Sequence, residues 1–247
     1  MNIKDYLDST YLKTDAQAGL SADENSAVAQ GFIQEAIDES FKLIMIRPDR
    51  VALAKKIIVE AQSKVLVGTV IDFPEGASSL DKKLKEALEC IQNGADDLDF
   101  VCNYEAFKAG RIDLVKEEIL KGTQLGLQHH KTVKWIIEVA ALTDLQIAQL
   151  SALIRDVVIS NFDEESYSSV FVKSSTGFYK TANSLPNGAT VSSIKIMLEN
   201  ASPLPVKAAG GVRTYEEAVE MVSLGVKRIG TSGAKAIANG EESSSQY

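Results

Sequence analysis

The segment that decides the fold spans residues 170–177 and reads VFVKSSTG. An apolar, β-branched run ends in Lys173, directly before a loop of small polar residues. A lysine inside a buried strand is costly unless it is exposed, paired or neutral. The pattern recurs at residues 204–211, LPVKAAGG, where Lys207 ends the run. Two such strand ends suggest that both lysines share one pocket, as the carboxyl-terminal mouth of a parallel barrel would provide.

Short apolar runs alternate with longer amphipathic segments along the chain, which predicts parallel strands joined by crossover helices. The predicted strands are residues 6–9, 42–46, 65–71, 97–102, 133–139, 170–174, 204–208 and 227–230. The predicted helices include residues 50–62, 79–93, 114–126, 143–159, 191–200 and 215–224. Periodicity alone would also allow an open doubly wound sheet. Eight strands, with no GxGxxG motif after the first, favour an α/β fold of the (β/α)8 TIM-barrel type.

Composition indicates one domain and a small-molecule partner. The 247 residues are 45% hydrophobic, and we predict one barrel domain over residues 1–240 followed by a flexible tail, EESSSQY, over residues 241–247. The net charge is −8 with dispersed lysines and arginines, so we expect no nucleic-acid or membrane partner. The sequence shows no signal peptide or membrane span, which predicts a cytoplasmic protein. Cys90 and Cys102 are expected to be reduced, buried thiols.

A third strand adds carboxylates to the predicted site. Asp97 and Asp99 alternate with apolar residues and therefore share one face of their strand. We expect Asp99 to meet Lys173 and Lys207 in the barrel mouth, where it could hold or relay a proton. Two neighbouring ammonium groups disfavour each other, so the pKa of one falls towards neutrality. The free amine can then attack a carbonyl and form a Schiff base.

Two glycine-rich loops follow the last two predicted strands, where barrel enzymes commonly bind phosphate. Each loop leads into a predicted helix, and unpaired N–H groups there would attract an anion. A tight turn is an equally common reason for such glycines. The candidate residues are Gly210, Gly211, Val212 and Arg213 in the first loop and Gly230, Ser232 and Gly233 in the second.

A metal ion is the competing way to stabilise an enolate, and it would need His or carboxylate ligands. The two histidines, His129 and His130, are adjacent and cannot supply ligands from separate strands. Asp96, Asp97 and Asp99 could in principle bind Mg²⁺, but we favour a proton relay. We therefore expect neither a metal nor a cofactor.

Motifs along nearly the whole chain resemble those of the deoxyribose-phosphate aldolase family. The matching segments are DSTYLK at 8–13, TVIDFPEG at 69–76, GADDLD at 94–99, FVKSSTG at 171–177 and VKAAGGVR at 206–213. The resemblance implies a class I, Schiff-base aldolase. Such an enzyme reversibly cleaves 2-deoxy-D-ribose 5-phosphate to acetaldehyde and D-glyceraldehyde 3-phosphate without a cofactor.

The same resemblance suggests roles for individual residues. Lys173 would carry the imine, Lys207 would lower its pKa, and Asp99 would join the proton relay. Some members end in a tyrosine that assists proton transfer, which makes Tyr247 a catalytic candidate, with a disordered end as the alternative. The substrate-binding candidates are Asp8 and Thr10, together with Gly177, Gly210, Gly211, Val212, Arg213, Gly230, Ser232 and Gly233 around the phosphate.

The chain also departs from the family pattern. Ser9 replaces a histidine, Met45 replaces a cysteine that some members have, Asp72 replaces a small or uncharged residue, and the loop at 178–187 looks longer. The alternatives are a related phosphate-binding barrel aldolase or isomerase with another substrate, and a catalytically silent phosphosugar-binding barrel. The sequence leaves open a homodimer or a higher homo-oligomer.

Overall fold

Eight parallel strands pair in sequence order and close into a barrel, because the last strand also pairs with the first. The computed structural model describes residues 2–182 and 185–241. The strands are β1 (Leu7–Tyr11), β2 (Leu43–Ile46), β3 (Leu66–Ile71), β4 (Asp97–Val101), β5 (Thr132–Ile136), β6 (Val170–Lys173), β7 (Val206–Ala209) and β8 (Arg228–Thr231). The predicted (β/α)8 TIM barrel is confirmed, and each predicted strand overlaps an observed one.

Helices follow the strands and cover the outside of the barrel. They are α1 (Asp15–Ala18), α2 (Ala22–Asp38), α3 (Val51–Glu60), α4 (Leu80–Gln92), α5 (Tyr104–Lys108), α6 (Ile112–Gln128), α7 (Asp144–Asn161), α8 (Val191–Ala201), α9 (Tyr215–Leu224) and α10 (Ala234–Ala238). Short 3-10 helices lie at Ile3–Tyr6, Pro48–Arg50, Val139–Ala141 and Glu164–Ser169. All six helices named from the sequence are present, as α3, α4, α6, α7, α8 and α9.

The main apolar core lies between the strands and the helices. The barrel interior differs because it holds many charged side chains. Parallel register keeps paired residues on the same face of the sheet, so Lys173 opposite Lys207 and Lys134 opposite Asp99 all point inward. A small apolar cluster occupies the other side of the interior, formed by Leu12, Leu43, Met45 and Val70. Bulky aliphatic side chains usually fill such barrels. Here charged side chains replace them on the side of β4 to β8.

The cysteines, the histidines and the helix lengths bear on predictions made from the sequence. Cys90 and Cys102 are free and buried, as predicted. His129 and His130 are exposed at the end of α6. Across residues 2–182 and 185–241, no helix has both the length and the apolar character that a membrane span requires.

Candidate active site

Lys173, Lys207 and Asp99 meet at the centre of the barrel mouth. Lys173 Nζ lies 2.8 Å from Asp99 Oδ2, and Lys207 Nζ lies 3.0 Å from the same oxygen. The three side chains are almost fully buried. The two strand-end lysines therefore share one carboxylate oxygen, although their positions in the sequence are separated by an entire β-α unit.

The buried position of Lys173 favours a neutral amine. Burial lowers the pKa of Lys173 to about 8; the Asp99 carboxylate opposes this shift and the Lys207 ammonium adds to it. Burial is thus the larger cause, and the lysine pair on which the sequence prediction relied is a secondary one. Burial also disfavours an ionised Asp99, but three surrounding ammonium groups outweigh it and hold the pKa of Asp99 well below its usual range.

Lys207 has a second carboxylate, because Asp8 enters the same layer from β1. Lys207 Nζ lies 2.6 Å from Asp8 Oδ2, and Arg228 Nε donates to Asp8 Oδ1 at 2.7 Å. Burial would lower the pKa of Lys207, but Asp8 and Asp99 outweigh it and raise that pKa. Thr10, two residues further along β1, is buried and its hydroxyl donates to the Asp8 carbonyl.

Lys134 of β5 completes the charged layer. Its ammonium lies 2.6 Å from Asp97 Oδ2 and 2.8 Å from Asp99 Oδ1, so both carboxylates of the β4 motif are paired. Arg228 also lies 3.6 Å from Asp97. The sequence prediction missed Lys134 and Arg228. A lysine inside the apolar run TVKWI carries the same signal as Lys173 and could have identified Lys134.

Carboxylates that could have bound Mg²⁺ are engaged with cations instead. Asp96 pairs with Lys55 on the outside of the barrel at 2.9 Å, and Asp97 and Asp99 face Lys134 inside. Over the described ranges, no group of three or more His, Cys, Asp or Glu side chains could hold a metal ion. The expectation of a reaction without metal or cofactor remains a prediction.

The loops after β6 and β7 meet at their glycines, since a Cβ on Gly210 would lie 3.5 Å from Gly177 Cα. Gly177, Gly210 and Gly211 have φ values of 80°, 74° and 84°, in the left-handed region that favours glycine. A Cβ on Gly230 would lie 3.2 Å from Lys207 Cε, so the lysine occupies the space of a side chain there. Gly177 and Gly210 are therefore neighbours, and Gly230 lies beside the charged layer.

Some N–H groups near these loops already have acceptors. Arg213 N donates to Glu217 Oε2 at 2.7 Å, and Thr214 N donates to the same oxygen, because Thr214 and Glu217 form a capping box at the start of α9. Gly233 N donates to the Thr231 hydroxyl. The prediction of unpaired N–H groups at the start of α9 is wrong for Arg213 and Thr214. Val212 is buried behind the loop, and the Arg213 side chain is exposed.

Gly188, which the sequence prediction missed, joins two of the loops. A Cβ on Gly188 would lie 2.4 Å from the carbonyl carbon of Gly210, a distance that no side chain tolerates. The loop before α8 therefore packs backbone against backbone on the glycine turn after β7. No local sequence pattern indicates this contact, because the two glycines come from different β-α units.

Glu138 is a further buried carboxylate that the sequence prediction missed. It follows β5 with a left-handed φ of 56°, and its carboxylate accepts hydrogen bonds from Ser175 and Thr176 in the loop after Lys173. Burial raises the pKa of Glu138, and the hydrogen bonds from Thr176 and Ser175 oppose the shift. Its position links the ends of β5 and β6.

Known proteins of similar sequence identify the family. The chain is 35% identical over 244 residues to the deoxyribose-phosphate aldolase of Thermococcus gammatolerans, an alignment that covers 97% of this chain and 96% of that protein. It is also 35% identical over 248 residues to the deoxyribose-phosphate aldolase of Streptococcus pneumoniae strain Hungary19A-6, and this alignment covers 100% of both chains. This chain belongs to the deoxyribose-phosphate aldolase family. It is therefore an aldolase, a lyase, and the silent-barrel alternative loses its support.

Solved structures agree with this family assignment. The aldolase QR15 is 30% identical with a TM-score of 0.80, covering 97% of this chain and 95% of that chain. A tetrameric deoxyribose phosphate aldolase from Aeropyrum pernix is 26% identical with a TM-score of 0.77, covering 96% and 89%. No family model matches the chain. A homodimer or a higher homo-oligomer remains the prediction for this aldolase.

The residues that depart from the aldolase family pattern lie in different surroundings. Ser9 is buried, and its hydroxyl has no partner among the described residues. Met45 belongs to the apolar side of the barrel interior. Asp72 has a φ of 55° and accepts a hydrogen bond from Ser78 N at 2.8 Å, so its charge stabilises the turn after β3. Tyr247 lies outside the described residues.

The loop at residues 178–187 is tied to neighbouring strand ends. Asn187 Nδ2 donates to the Gly177 carbonyl at 3.0 Å, and Tyr179 packs edge-on against Tyr104 at 6.4 Å between ring centroids. Phe178 packs against Phe73 at 5.0 Å. The start of the loop therefore packs against residues that follow β3 and β4, and its end returns to the end of β6.

Proposed function

We propose that this aldolase reversibly cleaves 2-deoxy-D-ribose 5-phosphate to acetaldehyde and D-glyceraldehyde 3-phosphate through an imine on Lys173. The observation that carries the proposal is a buried lysine, with a pKa near 8, whose ammonium shares one carboxylate oxygen with a second lysine. At neutral pH such a group supplies a useful fraction of free amine, which an exposed lysine does not.

Lys173 is favoured as the nucleophile over Lys207 and Lys134 because its ammonium has the fewest anionic partners. Lys207 lies between Asp8 and Asp99, and Lys134 lies between Asp97 and Asp99, whereas Lys173 contacts Asp99 alone among the described carboxylates. Two carboxylates stabilise an ammonium more than one does. Lys207 thus stays charged beside Lys173, while Lys173 is the lysine that can lose its proton.

The proposed reaction needs no second reactant, because the water released on imine formation is consumed again on imine hydrolysis. The Lys173 amine adds to the C1 aldehyde of the open-chain sugar, and loss of water gives a protonated imine. The C3 hydroxyl then loses its proton, the C2–C3 bond breaks, and its electron pair moves through C2 to the imine nitrogen. Glyceraldehyde 3-phosphate leaves as a three-carbon aldehyde. Protonation of the enamine at C2 and hydrolysis of the imine release acetaldehyde and restore the amine.

Asp99 and Lys207 are placed to support the proton transfers. Asp99 remains ionised, so it can accept a hydrogen bond from a carbinolamine hydroxyl or a water molecule in place of Lys173. Lys207 would keep the Lys173 amine neutral between turnovers and supply positive charge near the developing alkoxide. Asp8 would hold Lys207 in its charged form, and Thr10 would line the same wall. Tyr247 is retained as a candidate for proton transfer at C2.

The phosphate would be bound by the convergent loops after β6, β7 and β8. The proposed contacts are Gly177, Gly210, Gly211, Val212, Arg213, Gly230, Ser232 and Gly233. The positive φ of the loop glycines lets backbone approach an anion closely, and the exposed Arg213 guanidinium would add charge. The partner class is therefore a small phosphorylated sugar or aldehyde, and a cytoplasmic location remains the expectation.

Substrate profiling tests the reaction. Purified protein is incubated with 2-deoxyribose 5-phosphate, 2-deoxyribose or ribose 5-phosphate, and both aldehyde products are quantified. We expect stoichiometric acetaldehyde and glyceraldehyde 3-phosphate from the first compound and at least about 100-fold lower kcat/KM for the others. Preferred turnover of a different phosphosugar would instead support the related aldolase or isomerase alternative.

A further inference from the structure

Glu138 has an unusual environment for a buried carboxylate. It is 1% exposed, yet its hydrogen bonds come from neutral groups: Ser175 Oγ at 2.9 Å, Thr176 N at 3.2 Å and the Thr176 hydroxyl. A buried carboxylate without a close cation is costly, and β5 does not need one to form. The partners all belong to the loop that follows Lys173.

The backbone fixes Glu138 to the same loop from both sides. Ile137 N donates to the Lys173 carbonyl at 3.0 Å, and Val139 N donates to the Ser174 carbonyl at 2.9 Å. The β5–β6 pairing therefore continues beyond both strands. Between these two bonds, the side chain of Glu138 reaches the next two residues of the loop. The contact is a continuous clamp on residues 173–176.

The carboxylate determines how the Thr176 hydroxyl is oriented. A carboxylate can only accept, so the Thr176 hydroxyl must donate to it and keep its lone pairs for other donors, whereas Ser175 divides its one proton between Glu138 and the Asn187 carbonyl. Ser175 Oγ accepts from Gly177 N at 3.0 Å, and Thr176 Oγ1 accepts from Phe178 N at 3.0 Å. Glu138 is thus connected to the backbone of Gly177 through Ser175 and to the backbone of Phe178 through Thr176.

The clamp extends to the glycine turn after β7. The Ser175 hydroxyl lies 2.7 Å from the Asn187 carbonyl oxygen, which is the second acceptor for its one proton, and Asn187 Nδ2 donates to the Gly177 carbonyl. The next residue, Gly188, is the one that packs on the backbone of Gly210. A displacement of Ser175 would therefore reach the Gly210 turn.

We propose that Glu138 is a positioning residue for the phosphate-binding half of the site, because its carboxylate fixes the loop after Lys173 against the Gly210 turn. The location of the phosphate in this inference rests on the proposed function. The hydrogen bonds of the clamp do not depend on it. Glu138 acts through Ser175 and Thr176 and makes no proposed contact with the sugar. Its loss should weaken recognition of phosphate while leaving the Lys173 amine able to react.

The first test compares substrates with and without phosphate. In Glu138→Gln, an amide NH₂ faces one of the hydroxyls, so the side chain can no longer accept from both. We expect the kcat/KM ratio of 2-deoxyribose 5-phosphate over 2-deoxyribose to fall at least about tenfold, mainly through KM for the phosphorylated substrate. Borohydride trapping of acetaldehyde on the variant should still label Lys173. An equal fall for both sugars would overturn the proposal and leave the proposed function standing.

A second test does not depend on catalysis. Calorimetric titration with inorganic phosphate should give binding to the parent protein and at least about tenfold weaker binding to Glu138→Gln. Unchanged phosphate affinity, or a parent that binds no phosphate, would overturn the proposal whether or not the parent cleaves the sugar. Glu86→Gln is the control, because Glu86 is a part-buried carboxylate on α4 that accepts a hydrogen bond from Asp72 N and lies outside the loop; the phosphate affinity of this variant should equal that of the parent.

Thr176 provides a variant pair should Glu138→Gln fail to fold. Thr176→Val keeps the shape but removes the hydroxyl between Glu138 and Phe178 N, and should lose phosphate affinity like Glu138→Gln. Thr176→Ser keeps the hydroxyl and should restore affinity to within about threefold of the parent. Equal affinities for the Val and Ser variants would contradict the clamp.

Discussion

Two regions of this molecule bury a lysine beside a carboxylate, and they differ in how completely the ammonium is bound. Between α4 and α6, Lys83 donates to the carbonyls of Gly76 and Val101 at 2.8 Å each and to the Glu118 carboxylate. All three ammonium hydrogens have an acceptor. This site resembles a structural crosslink that holds two loop ends against two helices.

At the barrel mouth, Lys173 is almost equally buried but has one hydrogen-bond acceptor among the described residues, Asp99. Its charge is stabilised by one carboxylate oxygen that it shares with Lys207. The comparison shows that burial alone does not make a lysine reactive. A buried lysine becomes a candidate nucleophile when its ammonium is left with too few acceptors.

The largest difference should appear when each lysine is replaced by methionine. Lys173→Met removes the proposed nucleophile, and we expect turnover of 2-deoxyribose 5-phosphate to fall at least about 10⁴-fold. Its folding stability should be unchanged or higher, because Asp99 keeps Lys134 and Lys207 while a costly buried charge is lost. Steady-state kinetics and urea unfolding measure both effects. Residual activity above about 1% of the parent would contradict the assignment.

Lys83→Met should show the opposite behaviour. It leaves the Glu118 carboxylate buried without its cation, which should reduce the free energy of unfolding by about 3–5 kcal/mol. The molecules that remain folded should keep kcat within about threefold of the parent. Urea unfolding with activity measured below the transition tests this, and adding Glu118→Leu should recover part of the lost stability. A stable but inactive Lys83→Met protein would show that the crosslink belongs to the catalytic machinery.

Asp8→Asn tests the second carboxylate that distinguishes Lys207 from Lys173. Without the Asp8 charge, the pKa of Lys207 should fall and Lys207 should lose part of its positive charge beside Lys173. The pKa of Lys173 should then rise. We expect kcat to fall about 100-fold at pH 7 and the rising limb of the pH–kcat/KM profile to move to higher pH. An unmoved limb would mean that Asp8 does not control the charge of the lysine pair.

The smallest predicted effect is the change with pH in the rate of imine formation by the parent protein. The pKa of Lys173 is lowered to about 8, so the neutral fraction rises with pH and approaches its limit above that value. Imine formation with acetaldehyde should accelerate about fivefold from pH 7 to pH 8 and level off near pH 9. Stopped-flow measurement across pH 6 to 10 would show this. A rate that keeps rising tenfold per pH unit through pH 9 would indicate an unperturbed lysine.

Much of the fold and the centre of the site could be predicted from the sequence, because the relevant signals are local. Lys173 and Lys207 stand out as charges at the ends of apolar strands, and Asp99 stands out by alternation within one strand. Helix α2 was not among the helices named from the sequence, because its apolar periodicity is weak. Its buried positions include one large apolar residue and are Asn25, Ala29, Ile33 and Ala36.

The missed residues depend on barrel closure and on loop contacts. Arg228 meets Asp8 only because β8 returns to pair with β1. Glu138 becomes informative only when the loop after Lys173 lies against it, and Gly188 only when it contacts Gly210. Lys134 is the exception, because a lysine inside the apolar run of β5 is visible in the sequence. A charged residue inside any apolar strand run is therefore a candidate for the buried site, whether or not it ends the strand.

The most direct test of the central claim is to trap the covalent intermediate. The protein is incubated with acetaldehyde and sodium borohydride, digested, and analysed by mass spectrometry, with the Lys173→Met and Lys83→Met variants alongside. We predict a single reductively ethylated lysine at Lys173 in the parent and in Lys83→Met, and none in Lys173→Met. An adduct at Lys207 or Lys134 in place of Lys173, or no adduct in a protein that cleaves the sugar, would contradict the claim.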